Sequence, residues 1–344
     1  MTKEIILLTA SLFMILMSAE FFTNGVESFG RKLSLSQAVV GSILAAVGTA
    51  LPETILPFVA ILMHGGDAGK AIGIGAILGA PFMLSTLAFF LVGISVVASR
   101  LRKKREFVIN VEPHSMKRDL VFFLLLYSFA IIAPFFWGGP KIFMACLLTA
   151  GYLFYAYLTF KGESSEIEHA DELYFARITN KAGTLLRTQK NTYAHPGLPI
   201  ILFQVLSALS LMVGGAHVFV GSLGTVSRGW GLDPLLFALL VAPVATELPE
   251  KFNSVSWTLK GKDTLALGNI TGAMVFQSTF PVSVGLLFTD WSISGTALFS
   301  AVLALASSSL VLAELQFRKK LSPFTMLSGG LFYLLYAAVV MTGK

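Results

Sequence analysis

The chain has 344 residues, 55% of them hydrophobic and only 13% charged, and its mean hydropathy is +0.77. Soluble domains carry about 25% charged residues, so this composition is that of an integral membrane protein. The net charge of +6 falls in loops, where positive residues mark a cytoplasmic face, and it requires no nucleic-acid partner.

The apolar runs have the length of helices rather than of barrel strands, which sets a β-barrel aside. In chain order they cover 4–25, 34–63, 71–98, 119–137, 141–160, 198–222, 232–259, 263–288, 291–313 and 321–342. The first contains Met17-Ser18-Ala19-Glu20, which has the look of a signal-peptide cleavage site. Ala19, Phe22 and Gly25 nevertheless match Ala216, Phe219 and Ser222 at an offset of 197 residues, so a helix of the mature protein is expected. Cys146, the single cysteine, lies in an apolar run as a packing residue and permits no internal disulfide.

The loop 99–118 holds Arg100, Arg102, Lys103, Lys104, Arg105, Lys117 and Arg118, which assigns it to the cytoplasm. Ten spans then put loops 26–33, 161–197, 260–262 and 314–320 on that side, with nineteen Lys and Arg inside against five outside. Both termini are expected outside an inner or plasma membrane. The loop 161–197 joins the halves 1–160 and 198–344. It is acidic first (Glu163, Glu166, Glu168, Asp171, Glu172) and then basic (Arg177, Lys181, Arg187, Lys190). A solvated linker and a regulatory ion-binding or lipid-binding segment both fit that pattern.

One motif occurs in each half. Gly48-Thr49-Ala50-Leu51-Pro52-Glu53 stands in the second apolar run, and Ala245-Thr246-Glu247-Leu248-Pro249-Glu250 stands 197 residues later. Five spans per half is an odd number, so the second half sits upside down relative to the first. The expected fold class is all-α integral membrane, with ten transmembrane helices as two inverted-topology five-helix repeats, the plan of secondary transporters.

A carboxylate in a membrane span costs at least ~2.5–3.5 kcal/mol on insertion scales, so Glu53 and Glu250 are functional candidates. Thr49 and Glu53 lie four apart on one helical face, as do Thr246 and Glu250. Pro52 and Pro249 withhold the donors that Gly48 and Ala245 carbonyls would use, which predicts broken backbone at both motifs. Carboxylate, hydroxyl and carbonyl oxygens together suit a hard cation such as Ca²⁺ or Na⁺. Ordinary proline kinks with buried, protonated glutamates are the plainer reading, which two matching copies argue against.

Each half continues with a glycine-rich helix: Gly75-Ala76-Ile77-Leu78-Gly79-Ala80-Pro81-Phe82-Met83-Leu84, and Gly268-Asn269-Ile270-Thr271-Gly272-Ala273-Met274-Val275-Phe276-Gln277. Glycines four apart let helices approach closely.

These residues resemble the two α-repeats of the sodium/calcium exchanger family, within the cation/calcium antiporter superfamily, over essentially the whole chain. The resemblance implies antiport of Ca²⁺ against Na⁺ or H⁺ by alternating access, with Thr49, Glu53, Thr246 and Glu250 as core ligands. In that family a small hydroxyl residue follows the threonine; Ala50 and Glu247 stand there in this chain. The family's Gly-Ser-Asn-x-x-Asn/Asp becomes Ala80 and Leu84 in one half, Ala273 and Gln277 in the other. Gln277 keeps an oxygen without a charge.

Glu247 and Lys251 are four apart in the favourable helical order, acid first. They either neutralise each other beside the site, or Glu247 replaces lost ligands, or the Lys251 ammonium occupies a place the resembled family gives to a sodium ion. Glu20 and His217 occupy equivalent positions in the two copies of the first helix, which raises proton handling against a buried or interfacial histidine. His64, His114, His169 and His195 fall at span ends or in loops and carry no signal. The expected metal-site set is thus Thr49, Glu53, Thr246, Glu247, Glu250 and Gln277. The alternatives are a proton-coupled exchanger for another divalent cation and a non-transporting membrane scaffold or sensor. No hydrolase triad, P-loop or cofactor motif is present, so no enzyme is expected.

Overall fold

The computed structural model describes residues 2–32, 51–102, 106–136, 140–162, 173–174, 197–293, 295–318 and 320–342; at some helical positions, 248–250 among them, it describes the backbone alone. Among these residues the regular elements are helices, with one isolated bridge between Ile109 and Leu321. Apolar chain in hydrocarbon must satisfy its own N–H and C=O groups, and helices do so within one segment.

In order these are α1 (Thr2–Lys32), α2 (Leu51–Phe58) running into a π-helical turn (Val59–His64), α3 (Gly66–Met83) running into a second π turn (Leu84–Ala88), and α4 (Phe89–Leu101). There follow α5 (Pro113–Phe136), α6 (Lys141–Gly162), α7 (Leu198–Gly229), α8 (Pro234–Leu259) and α9 (Asp263–Gln277). The chain ends with α10 (Phe280–Phe288), α11 (Gly295–Arg318) and α12 (Pro323–Thr342). Among the described residues, seven helical stretches are long and apolar enough to cross a membrane, and Leu51–His64 and Pro234–Glu247 are shorter apolar helices. The chain is a multi-pass membrane protein.

Glycines decide which helices touch. A Cβ on Gly75 would stand 2.2 Å from the Leu235 carbonyl oxygen, and one on Gly79 would stand 2.2 Å from that of Leu239. This pairing makes α3 and α8 parallel. On its other side α3 folds back along the chain before it: a Cβ on Gly69 would meet the Ala60 carbonyl oxygen at 2.5 Å, and one on Gly73 the Ile61 side chain at 2.4 Å and the Pro57 carbonyl oxygen at 3.3 Å. Helix α2 is therefore antiparallel to α3, and hence to α8, its counterpart by sequence. The second glycine pair differs. Among the described residues, Gly268 has nothing within 4 Å of an added Cβ, and Gly272 has the Tyr155 hydroxyl at 3.6 Å.

Helices α1 and α7 pair in the same opposed sense. Gly215 of α7 faces Ile15 and Ser11, Gly25 of α1 faces Val205 and Gln204, and Gln204 Nε2 donates to Asn24 Oδ1 at 3.0 Å and to the Phe21 carbonyl at 2.9 Å. At one face the segment 106–112 lies across other helix starts. Asn110 N–H donates to Asp263 Oδ2 (2.9 Å), Glu112 N–H to Thr264 Oγ1 (3.0 Å) and Ile109 N–H to the Leu321 carbonyl (3.1 Å). Loops expected on one side thus share one face. Of the linker 161–197, Tyr174 docks on α1: its N–H donates to Asn24 Oδ1 and its hydroxyl to Glu20 Oε1, both at 2.9 Å.

Two expectations need correction. Cys146 is exposed on α6 rather than packed. The backbone is not interrupted at Pro249, because α8 stays helical from Pro234 to Leu259. Membrane helices tolerate proline where neighbours and local adjustments serve the freed groups. The interruptions fall elsewhere: after Pro57, after Pro81, and at Ser278 and Thr279 just before Pro281.

Candidate functional site

Glu53 stands in the first turn of α2 and is 8% exposed. On α8, Thr246, Glu247 and Lys251 are buried at 3%, 2% and 2%, and Gln277, the last residue of α9, at 3%. Thr49 lies outside the described residues, as does the side chain of Glu250, whose backbone belongs to α8.

Packing brings the two motifs to one place. Leu51 and Ile55 of α2 share an apolar cluster with Ala242 and Ala245 of α8, and with Ala19, Phe22, Ala216 and Phe219 from α1 and α7. Glu53 follows Leu51 by two residues, and Glu247 follows Ala245 by two. Residues two apart on a helix point to nearly opposite sides, so each carboxylate leaves its helix on the face away from that cluster, on two neighbouring helices of opposite direction. Charged groups withdrawn from water are costly, so the burial of Glu53, Glu247 and Lys251 makes them candidates for a functional role.

The chemistry is that of oxygen donors. The Thr246 hydroxyl spends its proton on the Ala242 carbonyl at 3.1 Å, which leaves its lone pairs for a cation. Pro281 has no N–H for the Gln277 carbonyl one turn back, so Gln277 offers a main-chain oxygen as well as its side-chain amide. Ala80 and Leu84, at 4% and 0% exposure, put hydrocarbon where the first half has no ligand. Among the described residues no three His, Cys, Asp or Glu side chains form a metal-holding group; Glu250 stands outside that set.

The proton-handling pair does not come together. Glu20 is exposed and accepts from the Tyr174 hydroxyl, while His217 is exposed and lies against His64, ring centroids 4.3 Å apart and planes tilted by 37°. His64, expected to carry no signal, is thus His217's neighbour. A carboxylate the sequence did not reveal is Asp119 on α5, 3% exposed. It accepts from Thr271 Oγ1 of α9 at 2.7 Å, Tyr155 of α6 at 3.1 Å and Arg118 at 3.3 Å. Thr271 lies on the helix that ends in Gln277, so Asp119 ties that helix to α5 and α6. Besides the adjacent Arg118, its partners are 36 and 152 residues away, and no local spacing marks them.

The Sodium/calcium exchanger protein family model matches residues 3–161 and 200–342. The chain is 27% identical over 331 residues to CaxA of Alkalimonas amylolytica, which is described as an antiporter, covering 90% of this chain and 91% of that one. It is 22% identical over 333 residues to the sodium/calcium exchanger MaX1 of Methanosarcina acetivorans, covering 90% of each. The crystal structure of an H⁺/Ca²⁺ exchanger, CAX, superposes with a TM-score of 0.68 at 18% identity, over 98% of this chain and 82% of that one, which shows a shared fold. The chain belongs to the sodium/calcium exchanger protein family.

Proposed function

We propose that this chain is a secondary-active cation antiporter that exchanges Ca²⁺ for Na⁺ or H⁺ by alternating access at a site near the membrane midplane. The observation that carries the reading is the burial of Glu53 and Glu247 on two antiparallel helices that share one apolar cluster. Family membership supports a transporter rather than an enzyme.

Ten transmembrane helices form two inverted repeats, 1–160 and 198–344, joined by the cytoplasmic linker 161–197, with both termini outside. The opposed directions of α1 and α7, and of α2 and α8, support the inversion, since each pair links equivalent segments of the halves. Thr49, Glu53, Thr246, Glu247, Glu250 and Gln277 supply the ligands. Deprotonated carboxylates take the divalent ion as substrate from one side. The counter-ion then balances the emptied site, so that the helices bearing it can return.

Lys251 favours a second reading, a proton-coupled exchanger for another divalent cation. A buried ammonium one turn from Glu247 supplies positive charge where sodium would otherwise be required. The two readings part in proteoliposomes. Uptake of radiolabelled Ca²⁺ driven by an outward Na⁺ gradient at equal pH supports sodium coupling. Uptake driven only by a pH gradient supports proton coupling. No Ca²⁺ uptake with pH-driven uptake of another divalent cation such as Mn²⁺ supports the second reading, and no uptake of either ion leaves a non-transporting scaffold or sensor.

A further inference from the structure

The helices that follow the two motifs are interrupted at matching places, and the same two residues stand at both. Ser85-Thr86 stands within the π turn after α3, and Ser278-Thr279 fills the gap between α9 and α10. All four are 0% exposed. In one half Ser85 and Thr86 both donate to the Phe82 carbonyl. In the other Ser278 and Thr279 both donate to the Val275 carbonyl, each at 2.9 Å. Each serine thus reaches back three residues and each threonine four, in both halves.

The second break shows why hydroxyls are needed. An uninterrupted α-helix would send the Thr279 N–H to Val275, but here it goes to the Phe276 carbonyl at 3.1 Å. Thr279 itself has φ −123° and ψ −72°, outside the helical region. Val275 has lost its backbone donor, and two side-chain hydroxyls stand in for it. Buried in hydrocarbon, that oxygen would otherwise be left without a partner. Serine and threonine bonded back in this way are known to bend helices.

We propose that Thr86 and Thr279, with Ser85 and Ser278, are positioning residues for transport. They hold the two site-bearing helices broken at symmetry-related points, and the second break sets where Gln277, the residue before it, presents its oxygens. Both breaks are tied to other helices. The first is clamped from other helices: Ser307 of α11 donates to the Ser85 carbonyl, and Gly329 of α12 leaves room for the Thr86 carbonyl, which an added Cβ would meet at 2.4 Å. At the second, Ser283 N–H and Oγ of α10 donate to the Thr279 carbonyl at 2.8 and 2.9 Å, and the same Oγ lies 3.1 Å from the Ala145 carbonyl of α6 and accepts from Thr149 Oγ1. This inference rests on the antiporter reading for its consequence, and on the hydrogen bonds alone for its geometry.

The test uses Thr86→Val and Thr279→Val, which keep shape and remove the hydroxyl, beside Thr86→Ser and Thr279→Ser, which keep it. Ca²⁺ exchange in proteoliposomes and amide hydrogen exchange over 84–90 and 276–284 are read on the same preparations. The valine variants are expected to lose about tenfold in maximal rate, the equivalent of one buried hydrogen bond, and Thr279→Val also to raise half-saturating Ca²⁺, because its break places Gln277. Thr279→Val should cost more than Thr86→Val, because at its break the hydroxyls replace a lost backbone donor, and amides there should exchange more slowly as the turn re-forms. The serine variants should restore both. Should valine misfold, Ser85→Ala and Ser278→Ala each delete one of the two hydroxyls on the same carbonyl, and a smaller loss of the same kind is expected. Wild-type rates and unchanged amide exchange in the valine or alanine variants overturn the proposal. So does a serine variant as slow as its valine counterpart. A wild type that moves no Ca²⁺ would overturn the antiporter reading, while hydrogen exchange would still decide the break.

Discussion

Gly79→Ala tests the contact that carries α8, and with it Thr246 and Glu247, against the preceding half of the chain. The added carbon would sit 2.2 Å from the Leu239 carbonyl oxygen and 2.6 Å from Pro243 Cγ. Carbon and carbonyl oxygen normally approach to about 3.3–3.6 Å, so the helices must part by about 1 Å. One neighbour is backbone and the other a proline ring, so no rotamer change relieves the clash. Overpacking costs about 1–3 kcal/mol, and this geometry belongs at the upper end. Gly214→Ala is the control: Gly214 is exposed and nothing lies within 4 Å of an added Cβ. There alanine gains about 0.5–1 kcal/mol of helix propensity. Thermal unfolding of the two variants in detergent should move in opposite directions from wild type, and Ca²⁺ uptake should fall in Gly79→Ala alone. Equal melting temperatures for Gly79→Ala and wild type would refute the close α3–α8 contact.

Asp119→Ala removes the acceptor of Thr271, Tyr155 and Arg118 and should destabilise by about 3 kcal/mol, read as a lowered melting temperature; Asp119→Asn, which keeps two acceptor positions, should cost less. Gly329→Ala should destabilise comparably, since its Cβ would press on the Thr86 carbonyl. Lys251→Ala is expected to change how uptake depends on the counter-ion; unchanged coupling would remove Lys251 from the site's charge balance.

What could be read in advance depended on whether the signal was local. Gly75 and Gly79 announce a close helix approach because residues four apart share a face, and Leu235 and Leu239 occupy that face in the structure. The burial of Glu53 and Thr246 was legible for the same reason, as a polar pattern set within an apolar run. The site of the helix breaks was not. Pro249 was expected to break α8, but a proline's effect depends on its neighbours, and the interruptions adjoin Pro57, Pro81 and Pro281 instead. The duplicated Ser-Thr pair was present in the sequence at an offset of 193. It escaped notice because the motifs align at 197, and the first half carries four extra residues between motif and glycine helix. Asp119 could not be found locally, since folding alone gathers its partners from α6 and α9.

The central claim is that carboxylates from the two halves bind the transported ion together. Ca²⁺ uptake into proteoliposomes, driven by whichever of a Na⁺ or pH gradient moves the wild type, tests it with Glu53→Gln and Glu250→Gln. Each substitution keeps the side chain's size and removes its charge, and each is predicted to abolish gradient-driven uptake in protein that still folds. Uptake persisting in both variants would contradict the account.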